Sequence, residues 1–218
     1  MIRPQRQILS DGVYEMVKQM LMESSIAPGA RVNIDQLSRS LDVSQTPVRE
    51  ALARLESDGL VVKEPLRGYT AAPLLDRPAL DQHRELRELI EPHIARKAAA
   101  RITAVQLQEL DQTVAGMRAA GGVRSPQERR LFAAHDSRFH EVIAIASGNL
   151  LLRDVLVRAR PHAQMYRVHY QAGMGTQTIA EHERLLDPLR RHDGDGAAEA
   201  MAAHIARAYD RLAVALGG

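Results

Sequence analysis

The 218-residue chain is long enough to bury the core of one large domain or two small ones. It has no cysteine, which excludes disulfides and thiolate metal sites, and its formal net charge of +2 is too small to indicate nucleic-acid binding by itself. No run approaches the ~20 apolar residues of a membrane span, and residues 1–6 lack the apolar segment of a signal peptide, so we expect a cytoplasmic protein with no membrane partner.

The first predicted helix follows an arm, residues 1–8, that we expect to be mobile. Ser10 or Asp11 is suited to cap this helix, because short polar side chains accept hydrogen bonds from the free backbone amides at a helix start. Five apolar residues then share one face: Val13, Met16, Val17, Met20 and Leu21. The helix should end before the Pro28-Gly29 turn and pack beneath the elements that follow.

The next two predicted helices form a helix-turn-helix pattern. A short helix spans Asn33 to Leu41 with Asn33 as its cap, and the tight Asp42-Val43 turn leads into the second helix. The second helix occupies Val43 to Gly59 and ends at a glycine, which tolerates the left-handed backbone of a helix stop. In DNA-binding proteins with this spacing, the second helix is the recognition helix.

The recognition helix has one apolar face and one polar face. Its apolar residues recur at the helical spacing i, i+3, i+4 and i+7, and they are Val48, Ala51, Leu52 and Leu55. Ser44 or Thr46 is the expected cap, which leaves Gln45, Thr46 and Arg49 facing outward near a helix start suited to phosphate or base contact. An ordinary amphipathic surface helix has the same pattern, so the flanking segments decide between the two readings.

Two short β-prone runs follow the recognition helix. Leu60–Val62 and Tyr69–Ala71 flank a turn, Glu64–Gly68, which predicts a hairpin with glycine at its tip. With this wing, residues 1–72 are predicted to form a winged helix-turn-helix domain that binds DNA. The residues expected at the DNA are Ser44, Gln45, Thr46, Arg49, Arg54, Arg67 and Gly68.

Five segments within residues 9–72 together resemble a known family. They are Ile26–Gly29, Leu37-Ser38, Val43–Leu52, Leu55–Leu60 and Arg67-Gly68. This pattern is similar to the N-terminal domain of GntR-family transcriptional regulators, and the resemblance implies binding to double-stranded operator DNA. The sequence departs from the family at Gln45, where members usually carry arginine, so the base preference at that position does not carry over.

The rest of the chain is predicted to be a linker and a helical bundle. Residues 73–78 are the linker, because a proline at each end disfavours continuous helix. Six helices are predicted after it: Ala79–Arg101, Thr103–Ala119, Ser125–Gly148, a helix that starts after Asn149, Thr176–Arg191 and Asp195–Leu216. The first should turn Leu86, Leu89, Ile90 and Ile94 inward. The expected fold is therefore mainly α, with the winged domain followed by an all-α antiparallel bundle over residues 79–218.

All nine histidines lie beyond residue 80, so the two predicted domains differ in chemistry. Asp136 and His140 are four residues apart on a predicted helix and project from one face, which is a spacing of metal ligands. His182 lies on the predicted inner face of the fifth bundle helix, and His204 lies beside Ile205 on the last one. Buried neutral histidines that only make hydrogen bonds give the same pattern, and the residues alone leave both interpretations open.

Residues 84–212 also resemble a known domain, through Leu86–Glu88 with Glu91, Asp136–His140, Ser147–Asn149, Glu181-His182 with Leu185 and Leu186, and Met201–His204. They are similar to the FCD effector domain of FadR-type GntR regulators. The resemblance implies a homodimer and a divalent cation held by Asp136, His140, His182 and His204, with a small organic acid bound beside it. Nitrogen and oxygen ligands without sulfur suit Zn, Ni, Mn or Fe(II).

The resemblance also gives Arg87 a role as partner of the effector carboxylate, which an arginine fork binds bidentately. An ion pair between Arg87 and Glu91 within the helix is the alternative. Arg160 and Tyr166 are further candidates for the pocket. The remaining histidines are expected at the surface or in packing: His83, His93, His135, His162, His169 and His192.

The sequence therefore predicts a DNA-binding transcriptional regulator, with repression as the expected mode, that senses a small carboxylate at a metal site. A metal-dependent hydrolase fused to a DNA-binding module is the alternative, since an open metal site can activate water. Catalysis also needs a positioned base, and Glu141 should point away from the face that carries His140. A regulator that senses the metal itself is the third possibility.

Overall fold

A computed structural model of the protein describes residues 5–120, 125–159 and 174–217. Within these residues two units separate between Leu74 and Leu75, inside the segment predicted as a linker. The first unit joins helices to a small sheet, whereas the described residues of the second are helical. The predicted fold class, a winged helix-turn-helix followed by an all-α bundle, is confirmed.

The first unit contains three helices and three strands. They are α1 (Gln5–Met22), β1 (Arg31–Val32), α2 (Ile34–Ser40), α3 (Gln45–Ser57), β2 (Val61–Glu64) and β3 (Gly68–Ala71). The strands form an antiparallel sheet in the order β1, β3, β2, and the β2–β3 hairpin is the predicted wing. β1 was not predicted, because two residues are too few to show the alternation of a strand.

Helix α1 begins earlier than predicted. The prediction of a mobile arm is wrong for residues 5–8, which are helical. Residues 1–4 lie outside the described part of the chain. Ser10 is buried inside the helix rather than at its start. Val13, Val17 and Leu21 face the core as expected, but Met16 is exposed, because the inward stripe is narrower than the run of apolar residues suggests.

The predicted cap and turn of the helix-turn-helix are confirmed. The Asn33 side chain accepts a hydrogen bond from the Gln36 amide at 3.0 Å, at the start of α2. Asp42 takes a left-handed backbone with φ of 51°, and the next amide, Val43, donates to the Ser38 carbonyl at 3.0 Å. This six-to-one bond closes α2 and sets the direction in which the chain enters α3.

Helix α3 has the predicted recognition-helix architecture. Ser44 rather than Thr46 is the N-cap residue, although its side chain makes no capping hydrogen bond. At the other end Gly59 has φ of 67°, and the Leu60 amide donates to the Leu55 carbonyl at 2.9 Å, so the predicted glycine stop is confirmed. All four predicted apolar residues are fully buried, namely Val48, Ala51, Leu52 and Leu55.

Polar contacts as well as the apolar core hold α1 against α3. The Tyr14 hydroxyl donates to the buried Asp58 carboxylate, which lies at the end of α3. Arg54 binds Asp11 at 2.6 Å, and its guanidinium lies over the Tyr14 ring at 4.2 Å. The recognition helix is therefore tied to α1 on the side away from its exposed first turns.

The second unit contains six described helices, the number predicted. They are α4 (Arg77–Ala99), α5 (Ala104–Ala119), α6 (Pro126–Ala146), α7 (Leu150–Ala159), α8 (Met174–Arg190) and α9 (Gly194–Gly217). α4 begins two residues before the predicted start, because Asp76 caps it by accepting from the Ala79 amide at 2.9 Å. Pro78 lies in its first turn, where it removes no helical hydrogen bond.

The buried face of α4 differs from the predicted one. Ile94 is buried as expected, but the side chain of Leu89 is 70% exposed. Arg87 and Glu91, two charged residues, are buried instead. The apolar periodicity predicted the wrong buried face, because the Arg87–Glu91 ion pair occupies inward-facing positions of α4.

Helix α4 packs on α9 and α6, α5 packs on α6 and α8, α7 packs on α6, and α8 packs on α9. Four of the described helices therefore border α6 or α9. Ser125 and Glu128 form a capping box at the start of α6, and Asn149 accepts from two amides at the start of α7. From the sequence, Gly121-Gly122 should end the second bundle helix and Pro161 should bend the fourth, and these residues lie outside the described part of the chain. No helix in the described ranges combines the length and apolar character that a bilayer crossing requires.

Candidate metal centre and nucleic-acid interface

Three of the predicted metal ligands meet inside the bundle. His140 lies on α6, His182 on α8 and His204 on α9, and each side chain is at most 3% exposed. Each ring offers one nitrogen such that all three lie within 4.8 Å of one another. Imidazole nitrogens from three separate helices at this spacing fit a divalent transition metal.

Two buried glutamates bind the outer nitrogens of these rings. Glu91 Oε2 lies 2.6 Å from Nδ1 of His140, and Glu181 Oε2 lies 3.0 Å from Nδ1 of His204. Metal-binding histidines in proteins commonly hold a carboxylate on the nitrogen that faces away from the metal, which fixes the ring and its tautomer. This arrangement directs a metal to the Nε2 atoms of both rings.

Each glutamate is in turn bound by an arginine. Arg87 Nε donates to Glu91 Oε1 at 2.5 Å, and Arg211 donates to both oxygens of Glu181, at 2.7 and 2.8 Å. The cluster is thus flanked by two arginine–glutamate–histidine chains, one through α4 and one through α8 and α9.

Burial and hydrogen bonding set the charges along the arginine–glutamate–histidine chain that runs through α8 and α9. Burial alone would raise the pKa of Glu181, but hydrogen bonds from Arg211 and His204 outweigh it and lower that pKa to about 2. Burial lowers the pKa of His204 and outweighs the effect of Glu181. Because a carboxylate only accepts, a neutral His204 donates from Nδ1 and keeps the lone pair on Nε2 for a metal.

The fourth predicted ligand, Asp136, lies beside the histidine group rather than within it. It is buried one turn before His140 on α6, and its Oδ1 is 3.4 Å from Nε2 of His182. The ring of His182 stacks on Phe139, with centroids 4.1 Å apart and planes 8° from parallel. The four side chains predicted from the family resemblance therefore share one buried region, where Asp136 adjoins the group through His182.

Arg87 is buried and forms the ion pair with Glu91 that was the alternative to effector binding. It also lines a small recess between α4 and α9, with room for about one water-sized group. The lining residues are Leu80, His83, Arg84, Arg87, Ile205 and Tyr209. Its role toward a carboxylate effector stays a prediction.

Sequence reasoning missed that Glu91 binds His140 and that Glu181 joins His204 to Arg211. A signal existed for Glu181, which precedes a predicted ligand, but pairing it with Arg211 required the packing of α8 on α9. Glu141, the carboxylate next to His140, is bound by Arg138 at 2.9 Å and Arg153 at 2.5 Å, which fits the expectation that it points away from the cluster.

The other histidines are dispersed in the described part of the chain. His93 is exposed, His83 and His135 are half-buried, and Nδ1 of His192 lies 2.7 Å from the Ala99 carbonyl. Four residues considered from the sequence lie outside the described residues, namely Arg160, His162, Tyr166 and His169.

The predicted DNA-contacting residues fall into two groups. Those at the start of α3 and in the wing are exposed: Ser44, Gln45, Thr46, Arg49, Arg67 and Gly68. Arg54 is exposed as well, but its guanidinium binds Asp11 and packs on Tyr14 within the unit. The structure thus gives Arg54 a fold-stabilising contact that the sequence did not predict.

Comparison with known proteins agrees with both resemblances. Residues 9–70 match the family model of bacterial regulatory proteins, gntR family, and residues 82–207 match the FCD domain. The chain belongs to the GntR family. It is a GntR transcriptional regulator of the group that carries an FCD domain, as the motifs in both units predicted.

Relatives of this GntR regulator match along most of their length. The HTH-type transcriptional repressor RspR of Escherichia coli K12 is 27% identical over 206 residues, which are 91% of this chain and 86% of RspR. The galactonate operon transcriptional repressor of the same strain is 26% identical over 227 residues, 93% and 96% of the two chains. The solved E. coli McbR/YncC structure shares the fold, with a TM-score of 0.75 at 22% identity over 98% and 99% of the chains.

We expect Arg211→Met to lower the free energy of unfolding of the metal-free protein by about 3–5 kcal/mol, because it leaves the buried Glu181 carboxylate without its cation. Urea unfolding after treatment with a chelator measures this. Arg207→Met on the exposed face of the same helix is the matched control and should change stability by less than about 0.5 kcal/mol. Equal effects of the two variants would contradict a structural role for the Arg211 fork.

Proposed function

We propose that this GntR regulator is a repressor that binds operator DNA as a homodimer. A small organic acid, bound at a divalent metal, weakens or strengthens this binding. The observation that supports it best is the buried group of His140, His182 and His204, with carboxylates on the outer nitrogens of two rings, in a chain that also has an exposed recognition helix. Relatives named as repressors of transcription support the mode of action.

The metal would be held by Nε2 of His140 and His204, a nitrogen of His182 and the Asp136 carboxylate. Zn, Ni, Mn or Fe(II) suits these ligands, and four protein ligands leave positions for water or a carboxylate. When bound, the ion supplies a positive charge that attracts the anionic end of an effector. Glu91 and Glu181 orient two of the rings, so they set how tightly the ion is held.

The effector carboxylate would bind the metal and Arg87 together. Arg87 lies on the same chain of contacts as His140, through Glu91, and it also lines the recess between α4 and α9. A ligand that binds one edge of the Arg87 guanidinium would therefore contact α4 directly and affect His140, the metal ligand on α6, through Glu91. One relative is named the galactonate operon transcriptional repressor, and because galactonate is a carboxylate, this name is consistent with a carboxylate effector.

Two copies would present two recognition helices to DNA. Exposed apolar side chains on α4 and α7, which contact each other, are suited to an interface between copies, and they are Leu89, Leu150, Leu151 and Val155. A two-fold dimer matches operators with two symmetric half-sites one or more helical turns apart.

Arg49→Ala should weaken binding to an operator selected from random duplex DNA by about 1–3 kcal/mol, since Arg49 lies exposed near the start of α3, where it would contact a guanine edge. Fluorescence anisotropy titrations at fixed salt measure the affinity. Arg207→Ala removes the same charge from an exposed site in the second unit and should bind as the wild type does. A folded Arg49→Ala protein with unchanged affinity would disprove the assignment.

The purified protein should carry about one divalent ion per chain, and chelation should lower its melting temperature because the ion joins α6, α8 and α9. His140→Ala combined with His204→Ala should abolish binding, and Glu181→Gln should weaken it by about 10–100-fold. Elemental analysis and metal titration provide the readouts, with His93→Ala at an exposed position as the control. Full metal content in the double variant would show that the ion is bound elsewhere.

Arg87→Lys should lose the effector response while it keeps metal and basal DNA affinity, because lysine retains the charge but not the bidentate fork. A thermal-shift panel of carboxylates identifies the effector first, since a ligand at 100 times its Kd stabilises the protein by about 2.7 kcal/mol. Operator titrations with and without this carboxylate then test the variant. Arg84→Lys, a partly exposed neighbour in the same recess, is the control, and a wild-type response in Arg87→Lys would place the carboxylate elsewhere.

A further inference from the structure

A continuous chain of hydrogen bonds crosses the exposed face of the helix-turn-helix. Nε2 of Gln45, on the first turn of α3, donates to Oδ1 of Asp35 in α2 at 2.5 Å. Arg49, one turn further along α3, donates from its guanidinium to Oε1 of Gln45 at 3.2 Å. All three side chains are exposed, and two of them were predicted to contact DNA.

The chemistry of the two neighbours fixes the orientation of the Gln45 amide. A carboxylate only accepts hydrogen bonds and a guanidinium only donates them, so the NH2 group must face Asp35 and the carbonyl must face Arg49. A glutamine that reads adenine uses both ends of its amide on the base. Here both ends are engaged within the protein.

We propose that Gln45 is a positioning residue for Arg49 rather than a reader of bases, and that Asp35 anchors it. Asp35 and Gln45 together would hold the guanidinium near the start of α3 in the direction from which it reads a guanine in the major groove. This inference rests on the proposed DNA-binding function and assigns specificity within that interface to Arg49 alone among the three.

The charge of Asp35 is consistent with this role. A carboxylate on a face that meets phosphates opposes binding to every DNA sequence alike, so it contributes nothing to phosphate contact. Its contact with Gln45 gives it an effect on specificity instead. Removing the charge while keeping the acceptor therefore separates the two effects.

The test uses the full-length protein and a duplex recovered by selection from a random pool, with a set of single-base-pair variants of that duplex. Arg49→Ala first identifies the base pair whose discrimination depends on Arg49. We expect Gln45→Ala to reduce discrimination at the same base pair by about tenfold, within the range of a single base contact. In the Arg49→Ala background, Gln45→Ala should then have no further effect.

Two variants of the anchor complete the experiment. Asp35→Asn keeps an oxygen acceptor for Gln45 and should retain discrimination, whereas Asp35→Ala should lose it to the same extent as Gln45→Ala. Both should raise affinity for unrelated DNA equally, because both remove the same negative charge. Melting temperatures confirm that the variants are folded.

The outcomes separate the inference from the function on which it rests. If Gln45→Ala loses discrimination at a base pair that Arg49→Ala leaves intact, Gln45 reads a base itself and the inference is wrong. Unchanged discrimination in Gln45→Ala, or equal losses in Asp35→Asn and Asp35→Ala, would also overturn it. If the wild type enriches no duplex at all, the proposed DNA-binding function fails first.

Discussion

Three imidazole rings inside a helical bundle impose a requirement that shapes the second unit, since buried polar atoms need partners. Glu91 and Glu181 bind two of the outer ring nitrogens, and each of these carboxylates then needs a cation of its own, which Arg87 and Arg211 provide. Buried ion pairs of this kind add little net stability over apolar residues, yet losing one partner is costly. They therefore specify how α4, α6, α8 and α9 pack more than they stabilise the packing.

The first unit meets a different constraint, because its function needs polar side chains that remain outside the core. Apolar side chains and the closure of each helix at a left-handed residue, Asp42 for α2 and Gly59 for α3, fix the backbone. Tyr14 and Arg54 add polar ties on the side of α1. The backbone that carries the exposed start of α3 is thus fixed by the core, by these two helix closures and by the polar ties to α1.

Local sequence signals predicted the fold well, whereas the site needed more. Caps such as Asn33 and Ser125 and the stop at Gly59 were readable because their chemistry is local. Periodicity failed on α4, where Leu89 is exposed and a buried ion pair takes the inward face. The family resemblance singled out the histidines, but the pairing of Glu181 with Arg211 depends on side chains 30 residues apart meeting across two helices. No local pattern encodes such a contact.

The parallel stack of His182 on Phe139 has a spectroscopic consequence. Protons held over the face of a benzene ring are shielded by its circulating π electrons, so the carbon-bound ring protons of His182 should resonate upfield of their ordinary positions. The chain has no tryptophan, two phenylalanines and five tyrosines, so only six benzene-type rings besides Phe139 could produce such a displacement. The ring protons of His182 therefore report on the histidine cluster by NMR in the intact protein, with no added label.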